Sequence, residues 1–161
     1  MLTQEIQAAI KKMVLCWLAT VDEQGYPNVS PKEMFLVTGE QEITIAHVAS
    51  PQSIHNIQQN QQVCVSLVDV FVQKGYKIKG KASILPKTAP HYAHYLEVFQ
   101  EAYGTAFPIT AFITIQVQIV APIVAPSYAF FPDQTTATTQ IKGALETYQV
   151  RALLKGQQTK D

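Results

Sequence analysis

An antiparallel β-barrel with helices packed on its outside is the fold this sequence predicts, and three observations predict it. Six apolar or alternating runs read as strands, several of them joined by tight turns. Helical spacing occurs only at intervals between those runs. The first three strands follow one another with no crossover helix, which argues against a doubly wound α/β sheet. At 161 residues and 47% hydrophobic content, the chain is long enough for one domain with a proper core and too apolar for disorder.

The elements follow in order. Residues 3–13 form an amphipathic helix: Ile6, Ala9, Ile10 and Met13 fall at three-and-four spacing, and Lys11 and Lys12 suit its carboxyl end. The first strand, residues 14–21, runs into an acidic turn closed by Gly25. The second carries Pro27 and Pro31 and continues through residues 35–37. Proline gives no N–H to a ladder, so a strand with two prolines lies at an edge or a bulge, with an opening beside it. Lys32 stands at that opening. After a turn at residues 38–40, the β-branched run 43–48 is the third strand.

Ser50-Pro51 starts a helix, with a capping hydroxyl followed by proline at the first helical position. It covers residues 51–60, with Ile54 and Ile57 as its buried edge. Residues 63–68 are the fourth strand, and a turn at 73–75 leads into the fifth, residues 76–85. There Lys77, Lys79 and Lys81 alternate with Ile78, Gly80 and Ala82, so the lysines share one face. Residues 88–103 carry a stripe of Tyr92, Tyr95, Leu96, Phe99 and Tyr103 on a helix stopped by Gly104. In the last strand, residues 111–120, Ile113, Ile115, Val117 and Ile119 face one way and Thr114, Gln116 and Gln118 the other; Pro122 and Pro126 end it. Residues 140–154 form a helix on Ile141, Leu145, Tyr148 and Ala152, weakened by Gly143. Residues 1–128 are thus read as the barrel domain. Residues 129–161 are read as a partly helical tail, packed on that domain or on a partner subunit.

Charge and cysteine usage narrow the function. Twelve basic and 12 acidic residues cancel, which gives no reason to expect nucleic acid or an anionic membrane as partner. Cys16 and Cys64 sit in apolar runs with no C-x-x-C spacing, as buried thiols of a reducing compartment do. No leader sequence is evident, and the apolar run 13–19 is too short to span a bilayer. The expected location is the cytoplasm.

Several catalytic patterns are missing: there is no G-x-S-x-G, no phosphate-cradling Walker loop and no G-x-G-x-x-G. His91 and His94 have ligand-like spacing on the long helix, but no third ligand accompanies them, so no metal is expected. What remains is an anion site. A helix start offers free N–H groups and partial positive charge, and Ser50 and Ser53 add hydroxyls to it. A common capped helix has the same sequence. The lysine face has a plain reading too, as a solvated strand face. The readings gain from each other, since an anion at the helix start calls for a cation from a neighbouring strand, and Lys32 is a further candidate. His47 either lines the same pocket or simply ends a strand. The expected ligand is a flat phosphorylated cofactor.

The runs L-A-T-V-D-E-Q-G-Y-P-N-V-S-P-K (18–32), S-P-Q-S-I-H-N-I-Q-Q-N-Q-Q-V-C-V-S (50–66) and G-Y-K-I-K-G-K-A (75–82), with A-P-S-Y (125–128) closing the domain, resemble the flavin-binding split-barrel family related to pyridoxamine 5′-phosphate oxidase. The resemblance covers residues 13–128. It implies a six-stranded antiparallel split barrel and a homodimer holding FMN in the groove between subunits. By position, Ser30, Pro31 and Lys32 would contact the flavin ring, with His47 and Val48 along its other side. Gln52 and Ser53 would meet the phosphate beside the Ser50 start, and Lys79 would face it from the fifth strand. The chain departs from the family at Gln52, where Lys or Arg is frequent, and Arg151 is its only arginine, so pyridoxamine phosphate oxidation itself is not expected. The expected activity is that of an FMN-dependent oxidoreductase acting on a small molecule. The alternatives are a non-catalytic flavin module or a barrel that uses haem or deazaflavin. No side chain stands out as acid or base.

Overall fold

The structure, a computed structural model, describes residues 1–151. Twelve elements occur along them. Helix α1 (Gln4–Ile10) is capped by the Thr3 side chain, which accepts from the Ile6 N–H. Strands β1 (Cys16–Val21) and β2 (Pro27–Lys32) form a hairpin, followed by β3 (Phe35–Gly39) and β4 (Glu42–His47). Helix α2 (Pro51–Gln59) leads to β5 (Gln62–Asp69) and the long β6 (Lys74–Pro86). After α3 (Tyr92–Tyr103) come β7 (Ala111–Val124), α4 (Ser127–Phe130) and α5 (Ala137–Tyr148). The long helix begins later than its aromatic spacing predicts, because residues 88–91, with Pro90 among them, form turns. The last strand runs on through Pro122, which an edge position tolerates where the missing N–H has no ladder partner. The tail helix begins at Ala137, ahead of the expected residue 140, and passes through Gly143; Ala152 and the rest of its expected end lie outside the described residues.

Seven strands share one sheet in the order β2-β1-β5-β6-β7-β4-β3. The pairs β1–β2, β1–β5, β3–β4 and β4–β7 are antiparallel. The count is one more than expected, since the second predicted strand is two. Residues Glu33 and Met34 interrupt it, and its halves pair with different neighbours. That interruption defines the architecture. β2 and β3 stand at opposite ends of the sheet, yet only two residues join them. Three Cα steps of about 3.8 Å span at most about 11 Å. The two edges therefore lie side by side, and the sheet is rolled into a barrel whose seam is the β2/β3 junction. The mainly β, split-barrel reading holds.

The barrel is filled by the inward rows of its strands, including Leu18, Ile43, Ile45, Val65, Leu67, Ile78, Ile113 and Ile115. Ile119 shares the row of Ile113 but is 56% exposed, because the barrel interior ends at Val117. A second cluster lies under α3, where Tyr92 and Phe99 pack with Phe112, Ile109, Met34 and Ala46. The aromatic stripe of α3 is thus a packing face. Tyr103 pins it, accepting from the Phe35 N–H (3.0 Å) and donating to the Phe35 carbonyl (2.7 Å). At Gly80 a β-carbon would drive into the Gln116 carbonyl of the neighbouring strand.

Two compact units divide the chain: Met1–Val68 with Gly75–Ile123, and Asp69–Lys74 with the segment from Val124 onward. In the second unit the Tyr128 hydroxyl donates to the Val72 carbonyl (2.9 Å), and the Lys74 ammonium lies 4.0 Å from the Tyr128 ring centre. A capping box between Thr136 and Thr139 starts α5. No helix among the described residues is long and apolar enough to cross a membrane.

Candidate functional site

The seam gathers the polar residues. In β2 the outward row is Pro27, Val29 and Pro31, and the alternate row is Asn28, Ser30 and Lys32, opposite Thr20, Leu18 and Cys16 of β1. A row that should be apolar in a barrel wall therefore ends on a lysine only 7% exposed. Lys32 donates to the Ser30 hydroxyl (2.9 Å) and to the Ser50 hydroxyl. The two hydroxyls lie 3.2 Å apart.

This arrangement changes what Ser50 does. It occupies the N-cap of α2, yet its side chain makes no capping bond. Its hydroxyl turns to Lys32 and Ser30 instead, leaving the first-turn N–H groups of the helix unspent by the cap. Ser53, in the same turn, is 1% exposed, and its hydroxyl has no partner. Donors dominate here. Lys32 has three N–H bonds for two hydroxyl acceptors, Ser53 has a free hydroxyl, and no capping oxygen occupies the helix start. Such a set is completed by an anion.

Gln52 is held differently. Its amide nitrogen donates one turn onward along the helix to the buried Asn56 (2.7 Å). Asn56 donates to the Thr20 hydroxyl (3.0 Å), which also accepts from Asn28 (3.2 Å). The buried edge of α2 is therefore Ser53, Asn56 and Ile57, with Ile54 half-buried, where Ile54 and Ile57 were expected. Asn56, Thr20 and Asn28 escape sequence reading. Asn28 alone leaves a signal, since it shares the two-residue period of Ser30 and Lys32.

A cavity of about 220 Å³ opens at the seam. Lys32, Glu33 and Ser50 are its polar lining; Pro31, Met34, Ala46, Val48, Ala49 and Phe107 are the rest. His47 precedes Val48 at the end of β4. Its carbonyl accepts from the Thr110 N–H (2.9 Å) and hydroxyl (3.0 Å), while its buried Nδ1 has no partner. Burial lowers the pKa of Lys32, against the opposing influence of Cys16. Burial, then the Lys32 charge, lowers that of His47. Burial pushes the Cys16 thiol up to about 12.

The structure thus brings Ser30, Lys32 and Ser50 into one hydrogen-bonded group, with Pro31 and Val48 beside them in the cavity and Ser53 on the adjoining helical turn. It does not bring Lys79 there. Lys79 lies with Lys77 and Lys81 on the outer face of β6 and lines another cavity, of about 510 Å³, with Thr20, Cys64 and Gln118. Among the described residues no group of three or more His, Cys, Asp or Glu side chains could hold a metal ion.

A split β-barrel with a buried lysine and an uncapped helix start at its seam defines the class of protein. The family profile for pyridoxamine 5′-phosphate oxidase matches residues 2–134, and the chain belongs to that family. Solved structures agree. HupZ from Group A Streptococcus is 25% identical, with a TM-score of 0.67 over 78% of this chain and 96% of that one. The haem storage protein HutZ from Vibrio cholerae is 20% identical, with a TM-score of 0.62 over 76% of this chain and 94% of that one. An FMN-binding protein from Syntrophomonas wolfei is 13% identical, with a TM-score of 0.64 over 75% of this chain and 85% of that one. The last two likenesses speak to fold alone. A search of curated protein sequences finds no match.

Proposed function

We propose that this chain binds FMN at the barrel seam and serves as a flavin-dependent oxidoreductase acting on a small molecule. One observation carries the reading: the uncapped start of α2 faces a buried lysine bonded to serine hydroxyls, and the Ser53 hydroxyl beside it is buried and unpartnered. The phosphate would lie at that start, met by Ser50, Ser53, the first-turn amides and the Lys32 ammonium that bonds Ser50. Gln52, tied to Asn56, would offer no charge. Ser30, Pro31 and Lys32 would border the ring on one side, His47 and Val48 on the other. Bound FMN supplies the redox chemistry, and the chain's residues bind it, orient it and keep water from it.

The cavity of about 220 Å³ is smaller than the range of roughly 300–1,000 Å³ usual for such ligands. A second copy would complete it, in a homodimer with the cofactor between subunits. Lys79, which lines another cavity, would reach an anion across that interface. Two free cysteines accord with a reducing compartment such as the cytoplasm.

The visible spectrum of freshly purified protein tests the reading. Flavin absorption near 450 nm, with FMN released on denaturation, is the expected result; colourless protein that leaves the fluorescence of added FMN unquenched rejects it. A Soret band would favour the haem reading, which the fold shared with a haem storage protein and the unpartnered Nδ1 of His47 both favour. Bound flavin without turnover of reduced pyridine nucleotides would leave a non-catalytic module.

A further inference from the structure

The surroundings of Lys32 carry a consequence for when the site fills. Lys32 is buried, two of its three donors meet serine hydroxyls, and neither acceptor is a carboxylate. An ammonium so placed is poorly stabilised until an anion arrives. We propose that the site takes up a proton as it fills: the anion is held by charged Lys32, whereas the empty site holds the Lys32 proton less firmly. The inference rests on the cofactor reading above and adds the regulation of that site by pH.

The other titratable groups around the seam are few. From β1, Cys16 stands opposite as a buried thiol, pushed up to about 12. Tyr103, which bonds the backbone of Phe35, is a phenol raised by burial. From the end of β4 comes His47, lowered by burial and by Lys32 itself. Glu33, next in the chain, lines the same cavity. Helix α2 brings Ser50 and no acidic residue in its first turn. A window from about pH 7.5 to 9.5 lies above the ordinary carboxylate and imidazole ranges and below those of the raised phenol and thiol. Burial moves the Lys32 pKa down from the ordinary lysine value. The sign follows: the filled site binds more protons than the empty one. Affinity therefore falls as pH rises through the Lys32 pKa of the empty site, by up to about tenfold per pH unit, and is level below it.

FMN titrated into the protein across this window, by fluorescence quenching and by calorimetry in two buffers of different ionisation enthalpy, tests the coupling. The expected result is proton uptake that climbs toward one per FMN as affinity weakens. Lys32→Arg keeps its charge at every pH used and is expected to bind with neither slope nor uptake. FMN binding of constant affinity with no uptake overturns the proposal and leaves the cofactor reading standing; no FMN binding at any pH overturns both. Should Lys32→Arg not fold, ¹³C shifts of the lysine Cε groups in the unliganded wild-type protein decide. One midpoint below the others is expected, and none so displaced sinks the coupling.

Discussion

Lys32 separates stability from binding more cleanly than any other residue of the seam. Its burial costs the folded chain desolvation of a charge, so Lys32→Met is expected to leave the melting temperature unchanged or raise it. The same change removes a charge-assisted hydrogen bond worth about 1.5–3 kcal/mol to a bound anion. FMN affinity should fall roughly 10- to 150-fold by fluorescence titration. Ser53→Ala behaves similarly on a smaller scale: deleting a buried, unpartnered hydroxyl should stabilise the free protein by about 1 kcal/mol while weakening FMN binding. A loss of stability in urea would mean that the hydroxyl already has a partner. Gln52→Lys tests the opposite direction, since a charge at the second turn-residue of α2 adds about 1–2 kcal/mol and should tighten FMN roughly tenfold. Unchanged affinity would place the phosphate elsewhere.

At the scale of elements, what the sequence made legible follows local chemistry. Two prolines marked β2 as an edge, and it does stand at one end of the sheet order, beside β1. Ser50-Pro51 marked the start of α2 to the residue. The break at Glu33-Met34 was hidden, because both halves of the run are individually good strands and only their partners differ. The Asn56–Thr20–Asn28 chain was hidden for a related reason: three polar residues far apart in sequence look solvated until the barrel brings them together. The same limit applies to Gly80, whose need for glycine comes from the approach of β7. Gly80→Ala would push a methyl group into the Gln116 carbonyl and is expected to cost about 1–3 kcal/mol, read as a lower urea midpoint. An unchanged midpoint would show that the two strands separate easily there.

For the whole molecule the open question is what covers the outer wall of the barrel. In the β1–β2 hairpin the outward pairs are Trp17 with Pro31, Ala19 with Val29, and Val21 with Pro27. Trp17 is 45% and Val29 57% exposed, and the strip carries no charge, which is unusual for a free surface. Its upper end, Pro31, also lines the seam cavity, so a partner seated on this wall reaches the cavity by continuity. A self-complementary apolar strip suits a two-fold pair, in which each copy closes the other's site. A charge at its Pro31 end should then undo two properties at once. Trp17→Lys is expected to shift the protein from dimer to monomer in light scattering at micromolar concentration, and to lower FMN affinity in proportion, although Trp17 is not among the residues lining the cavity. Circular dichroism should show the barrel intact. A wild-type monomer that binds FMN with full affinity would instead make the seam of a single chain sufficient, and the strip would need another occupant.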